Sequence, residues 1–253
     1  MLATQVIQTC IDDLKTITKV ELTVLDSTGL VVAVTGKRED FLPDEIERFA
    51  ESKAECQTIN GHHYLKVFHE MDAVYIVVCK DMNEDLMIAK IAVSQLENLL
   101  IAYRERIDKN NFFQNLLLDN LLLVDIYNRA KKLHLENVCR RAVILIEVNK
   151  ENDNGTMEML KNMFSPQSGD FVTSVDEKNL IVIKHLDEKE GYEELDSVSD
   201  MILGMMNTEV MVNGRIAYGT IVRELKDVSK SYKEAKMALD VGKIFFDERN
   251  IVA

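Results

Sequence analysis

The chain has 253 residues, a formal net charge of -13, 47% hydrophobic residues, 2 prolines and 10 glycines. That length allows one large or two ordinary domains with real cores, and so few prolines and glycines leave helices and strands to fill most of it. The acid excess is spread along the chain without any lysine- and arginine-rich face, which argues against nucleic acid or an anionic membrane as a partner. Cys10, Cys56, Cys79 and Cys139 form no CxxC pair, and the amphipathic start runs into Asp12 and Asp13, unlike a secretory leader. Reduced thiols in a cytoplasmic protein, with no membrane-spanning run, are expected.

In chain order, Ala3 to Leu14 reads as a helix with Val6, Ile7, Cys10, Ile11 and Leu14 on one face. Val20 to Leu25 and Leu30 to Val34 read as a hairpin turning at Asp26-Ser27-Thr28-Gly29. Pro43-Asp44-Glu45 opens a short helix through Ile46, Phe49 and Ala50. Asn60-Gly61, the strongest two-residue turn signal, joins Thr58-Ile59 to a strand at His63 to Phe68, and a last apolar strand covers Ala73 to Cys79. Residues 1–81 are therefore expected to form a small antiparallel sheet flanked by helices.

Met82 to about Leu123 organises the chain. Leu86, Ala89, Val93, Leu96, Leu100, Tyr103 and Ile107 fall at alternating three- and four-residue steps, the pattern of a helix seam. Ile88, Ala92, Gln95, Leu99 and Ala102 make a second row beside it. A helix apolar over so wide an arc needs partners on two sides. The expectation is a connector over 82–139 that dimerises through the first row; the alternative is one long core helix of a monomer.

Beyond it, Val124 to Leu135 reads as a helix and Arg141 to Val148 as a buried strand. Gly155 to Phe164 is a short helix, Gly169 to Val175 and Leu180 to Lys184 a hairpin about Asp176-Glu177-Lys178-Asn179, and Tyr192 to Met206 a helix. Arg215 to Val222 is a strand and Leu225 to Lys243 a helix. This is a β-α-β-β-α-β order over 140–253, ending in the strand-like Ile251-Val252-Ala253. The methionines at helical spacing, Met157, Met159 and Met163 among them, read as adaptable core filling.

Two resemblances sharpen the reading. VLDSTGLVVAVTG, within its sheet-and-helix order, resembles the opening hairpin of PAS-like sensor modules, which implies a ligand between the sheet and the short helix. LLLDNLLLVDIYNRAKKLHLE followed by RRAVILIEV, and RIAYGTIVRELKDVSKSYKEAKMALDVGK with Gly219, Ser231-Tyr232, Glu234-Ala235 and Ala238-Leu239, are similar to the GGDEF-like domain of CdaR/PucR-type transcriptional regulators. The fold class implied is α+β: a PAS-like sheet domain, a long helical connector and a degenerate GGDEF-like domain. The family resemblance implies a sensor for a small acidic metabolite, sugar diacids being its founding ligand class. It also implies a helix-turn-helix that binds DNA, which these residues do not include; the sequence reads as a fragment of a longer regulator, the alternative being one that has lost its output domain.

Within the first unit, His62, Tyr64 and Lys66 share one strand face and offer donors suited to a carboxylate. That face is otherwise read as simply solvated. A zinc site from His62, His63, His69 and Cys79 lacks metal-type spacing, so no metal or cofactor is expected. A diguanylate cyclase would need acidic metal ligands and a Gly-Gly-Asp/Glu-Glu-Phe hairpin, whose glycines let the backbone approach the nucleotide. Here the hairpin reads Val175-Asp176-Glu177-Lys178-Asn179; Glu147 can stand for one acid but Asn149 follows it. No catalytic residue is nominated. The chain reads as a dimeric, non-enzymatic sensor and signalling portion; a nucleotide-binding or cyclase-like C-terminal unit, or a ligand-free dimeric scaffold, are the alternatives.

Overall fold

The computed structural model describes residues 2–37, 41–82, 84–148, 154–165, 168–245 and 251–252. The chain divides into two compact units, Met1–Ile107 and Asp108–Ala253.

The first unit contains α1 (Thr4–Thr18), β1 (Thr23–Asp26), β2 (Val31–Val34), α2 (Pro43–Glu51), β3 (Cys56–Ile59), β4 (His62–His69), β5 (Asp72–Lys80) and the first part of α3 (Asp85–Leu117). The strands form one antiparallel sheet in the order β2-β1-β5-β4-β3. Both predicted turns are present for local reasons. The Asp26 carboxylate accepts the backbone N–H groups of Thr28 and Leu30, and Gly29 takes φ +90°. Asn60 and Gly61 both adopt positive φ, as the tight hairpin turn requires. Gln8 of α1 pairs with both the N–H and the carbonyl of Val34, closing the exposed edge of β2.

Alternation along the strands gives the sheet two apolar faces. On one, Val24, Leu65, Val67 and Val77 pack against Ile7, Ile11 and Leu14 of α1 and Ala89, Ala92, Leu96 and Leu100 of α3. On the other, Leu25, Tyr64, Ile76 and Val78 pack beneath Ile46 and Phe49 of α2.

This packing revises the expected dimer seam. Ala89, Leu96 and Leu100 are buried in their own unit's core, with Leu86 and Val93 half-buried against it; Tyr103 and Ile107 are exposed. The apolar face of the unit's own sheet claims the row that looked intermolecular. By length and composition alone α3 is also apolar enough to cross a membrane, contrary to expectation. Its buried row lies on the sheet, as in the core helix of a globular domain.

The second unit takes the last part of α3, where Phe112, Phe113, Leu116 and Leu117 are buried. It continues with α4 (Leu123–Lys132), β6 (Val138–Val148), α5 (Asn154–Met163), β7 (Phe171–Ser174), β8 (Asn179–Leu186) and α6 (Tyr192–Met205). A π-helical turn (Met206–Val210) leads to β9 (Gly214–Tyr218), β10 (Val222–Glu224), α7 (Val228–Phe245) and β11 (Ile251–Val252). The β-α-β-β-α-β order is as expected. The sheet runs β11-β9-β6-β8-β7, with β10 also paired to β6. Central β6 is continuously buried from Arg141 to Ile146 because both its faces are covered. Val143 and Leu145 face the end of α3, α4 and α7, whereas Ala142, Ile144 and Ile146 face α5 and α6. The single strand expected over Arg215–Val222 is broken into β9 and β10, which both pair with β6.

Candidate functional site

On β4, His62, Tyr64 and Lys66 do lie on one face, opposite Lys80, Val78 and Ile76 of β5. That face is covered, where a solvated one was the plainer expectation. Tyr64 makes edge contacts with Phe41 and Phe49, at ring centroids 6.2 and 6.1 Å apart. Lys66 is 5% exposed; its ammonium donates to the Ser52 carbonyl and sits 5.1 Å from the Phe49 ring centroid. Among the described residues it has no carboxylate partner, and desolvation pulls its pKa below the ordinary lysine value. A cavity beside His62 and Phe41 measures about 20 Å³, room for one water.

The opposite face engages the other polar groups. His63 lies between the Thr58 hydroxyl (2.8 Å) and the Asp81 carboxylate (2.9 Å). The Cys79 thiol is pushed up to about 12, first by burial and then by nearby acids, so it stays protonated and inert. Among the described residues no group of three His, Cys, Asp or Glu side chains could hold a metal ion.

A groove of about 790 Å³ runs between α1 and α3, lined by Val6, Cys10, Leu14, Ile17, Asn98 and Leu99 among others. The outward row of α3 beside it, Met87, Ile91, Gln95, Asn98 and Ala102, carries no charge. The predicted second apolar row borders this groove through Gln95 and Leu99.

In the second unit Glu147, the acid expected to stand for a cyclase metal ligand, has an internal partner. Glu147, at the end of β6, pairs with the Lys243 ammonium of α7 at 2.6 Å. The Asp176 carboxylate accepts the N–H groups of Lys178 and Asn179 and the Asn179 side-chain amide. Burial pushes the Asp176 pKa up, but these hydrogen bonds and nearby Lys236 outweigh it and hold the group below its ordinary value. It is a turn residue, as expected. Asn149 lies outside the described residues. Lys243 was not anticipated: a lysine at the end of an amphipathic helix carries no sequence signal for its partner 96 residues away.

The signature residues have structural work. β9 ends at Tyr218, and β10 resumes at Val222, so the Val143 N–H between them lacks a strand partner. The fully buried Ser231 hydroxyl accepts it at 3.0 Å, while the Gly219 N–H donates to the Val143 carbonyl at 3.0 Å. A Cβ on Gly219 would sit 1.9 Å from the Ser231 carbonyl oxygen, so only glycine lets α7 approach there. Tyr232, Ala235 and Leu239 then bury in the core, and Glu234 accepts the Thr220 N–H at 3.1 Å.

Sheet order and covering helices are those of a GGDEF-like α/β domain. Residues 120–241 match the family model described as GGDEF-like domain. No curated protein sequence matches the chain. Among solved structures, PelD from Pseudomonas aeruginosa PAO1 aligns at 12% identity over 98% of this chain and 90% of that one, with a TM-score of 0.30. PelD from strain PA14 in complex with c-di-GMP aligns at 12% identity over 98% and 89%, with a TM-score of 0.29. Its apo form aligns at 10% identity over 99% and 91%, with a TM-score of 0.28. At such scores these alignments carry no weight for fold or ligand.

Proposed function

We propose that this chain is the sensory and signalling portion of a cytoplasmic, dimeric transcriptional regulator of the CdaR/PucR type. Residues 1–81 form a PAS-like sensor, 82–139 the connector and dimerisation segment, and 140–253 a GGDEF-like relay without catalysis. DNA is reached through a domain outside this sequence. The GGDEF-like match and the replacement of the cyclase site by an internal ion pair support a relay over an enzyme.

The observation that carries the sensor reading is Lys66. Among the described residues this buried ammonium is held by one carbonyl and one ring face and has no counter-ion, so its charge is incompletely compensated there. With room for about one water beside His62 and Phe41 as α2 is packed, α2 must lift for a small acidic metabolite, a sugar diacid or hydroxy acid, to bring an anion to Lys66, with His62 and Tyr64 as further donors. Its binding favours one packing of α2 on the sheet, and it shifts the output only by its difference in affinity for the two arrangements.

The test is a thermal-shift titration of the whole chain with sugar diacids and hydroxy acids, with neutral sugars and GTP-magnesium alongside. Stabilisation of about 2.7 kcal/mol is expected at 100 times the dissociation constant. Lys66→Met, which replaces a buried charge by an apolar side chain of similar length, should fold and lose the response. Acid binding that survives Lys66→Met moves the site elsewhere, and silence from every acid leaves a dimeric scaffold.

A further inference from the structure

A cavity of about 470 Å³ in the second unit is lined by Tyr192, Tyr218, Gly219, Thr220, Glu234 and Ala238. It opens where β9 stops, with α6 supplying Tyr192 and α7 supplying Glu234 and Ala238. The Tyr192 and Tyr218 rings are nearly parallel, with centroids 6.3 Å apart and an interplanar angle of 28°. Tyr218 is buried, and its hydroxyl donates to the Asp196 carboxylate at 2.6 Å, which fixes the ring. Tyr192 is half exposed, and its hydroxyl accepts the Ile221 N–H at 3.4 Å. Gly219 leaves bare backbone on the wall, because α7 excludes any side chain there.

The charge of this cavity is one-sided. None of its described lining residues is basic, and Glu234 lines it directly. One Glu234 oxygen accepts the Thr220 N–H; the other is 3.9 Å from the ammonium of Lys230, a side chain 68% exposed and free to turn to solvent. Two phenol rings and a carboxylate attract a cation, through the negative ring faces and the full charge. The same set repels a carboxylate or phosphate. The volume lies within the few hundred cubic ångströms of small-molecule sites.

The geometry points to a binding site for a small organic cation, an amine, guanidinium or quaternary ammonium, seated against Tyr192 and Tyr218 with Glu234 as its counter-ion. Ser231 and Gly219 hold α7 against the sheet beside the cavity, so an occupant would bear directly on the α7–β6 contact. This site is in a different unit from the acidic effector proposed above, and either reading can fail alone.

The chain has no tryptophan and 7 tyrosines, of which Tyr192 and Tyr218 line this cavity, so a change in tyrosine fluorescence that is lost in Tyr192→Ala can be followed beside calorimetry. Agmatine and choline are the probes, with malonate and GTP as anionic controls. Saturable binding of at least one cation is expected, with neither anion competing. Glu234→Gln keeps an acceptor for Thr220 but removes the charge, and Tyr192→Ala removes the outer ring. Each should weaken binding tenfold or more while circular dichroism shows the fold retained. Agmatine alone assigns a hydrogen-bonded guanidinium, and choline alone a quaternary ammonium. No saturable binding of either cation, or binding that both variants leave unchanged, overturns the proposal.

Discussion

The Lys243 ammonium lies 2.6 Å from the Glu147 carboxylate and 3.7 Å from that of Asp240. One cation of α7 thereby serves two carboxylates. Lys243→Met leaves Glu147, 22% exposed, with an unpaired charge, at an expected cost of about 1–3 kcal/mol by urea denaturation. Adding Glu147→Gln should restore most of it. GTP with magnesium should give no product with either protein, since the hairpin still has no glycine pair.

Gly219 and Ser231 should tolerate almost nothing. Gly219→Ala places a methyl 1.9 Å from the Ser231 carbonyl oxygen, a backbone clash that side-chain movement cannot relieve. The expected loss is about 3 kcal/mol or more, or failure of the second unit to fold. Ser231→Ala leaves the buried Val143 N–H without an acceptor and should cost about 1–3 kcal/mol in thermal denaturation.

The two faces of α3 should respond differently to a charge. Leu96→Asp buries an unpaired carboxylate in the first unit's core and should cost about 3 kcal/mol or more, seen as a sharply lower melting temperature. Ile91→Asp falls on the exposed, uncharged row and should leave melting nearly unchanged. If the dimer forms along this row and the α1–α3 groove, light scattering will show Ile91→Asp at half the wild-type mass. An unchanged mass would remove that surface from the dimer.

Stability should fall in acid and rise in base. Burial raises Asp26 and Asp176, but hydrogen bonds from their own turns win and hold both below the ordinary 3.8. Their contribution is complete above that value and is lost as pH falls through their folded-state values. Lys66 works oppositely. Its depressed pKa lets the folded chain shed a proton before the unfolded one does, so stability climbs as pH approaches 10.5. Melting temperatures from pH 3 to 10 should show both limbs; Asp176→Asn should flatten the acid limb and Lys66→Met the alkaline one.

Local chemistry was legible in the residues alone. Asn60-Gly61, Asp26 to Gly29 and Pro43 act within a few residues, so both turns and the start of α2 stood in the sequence, as did the β-α-β-β-α-β order of the second unit. Partnership across the chain was not. The heptad row of α3 has the same spacing whether it meets a second subunit or its own sheet, and only the fold assigned Ala89, Leu96 and Leu100 to the sheet. Alternation put His62, Tyr64 and Lys66 on one face, but whether water or α2 covers that face depends on a helix packed from outside the strand. The Glu147–Lys243 pair and the Ser231–Val143 hydrogen bond join residues about ninety positions apart. Neither leaves a periodicity or a motif, because their spacing is set by the path of the chain through space.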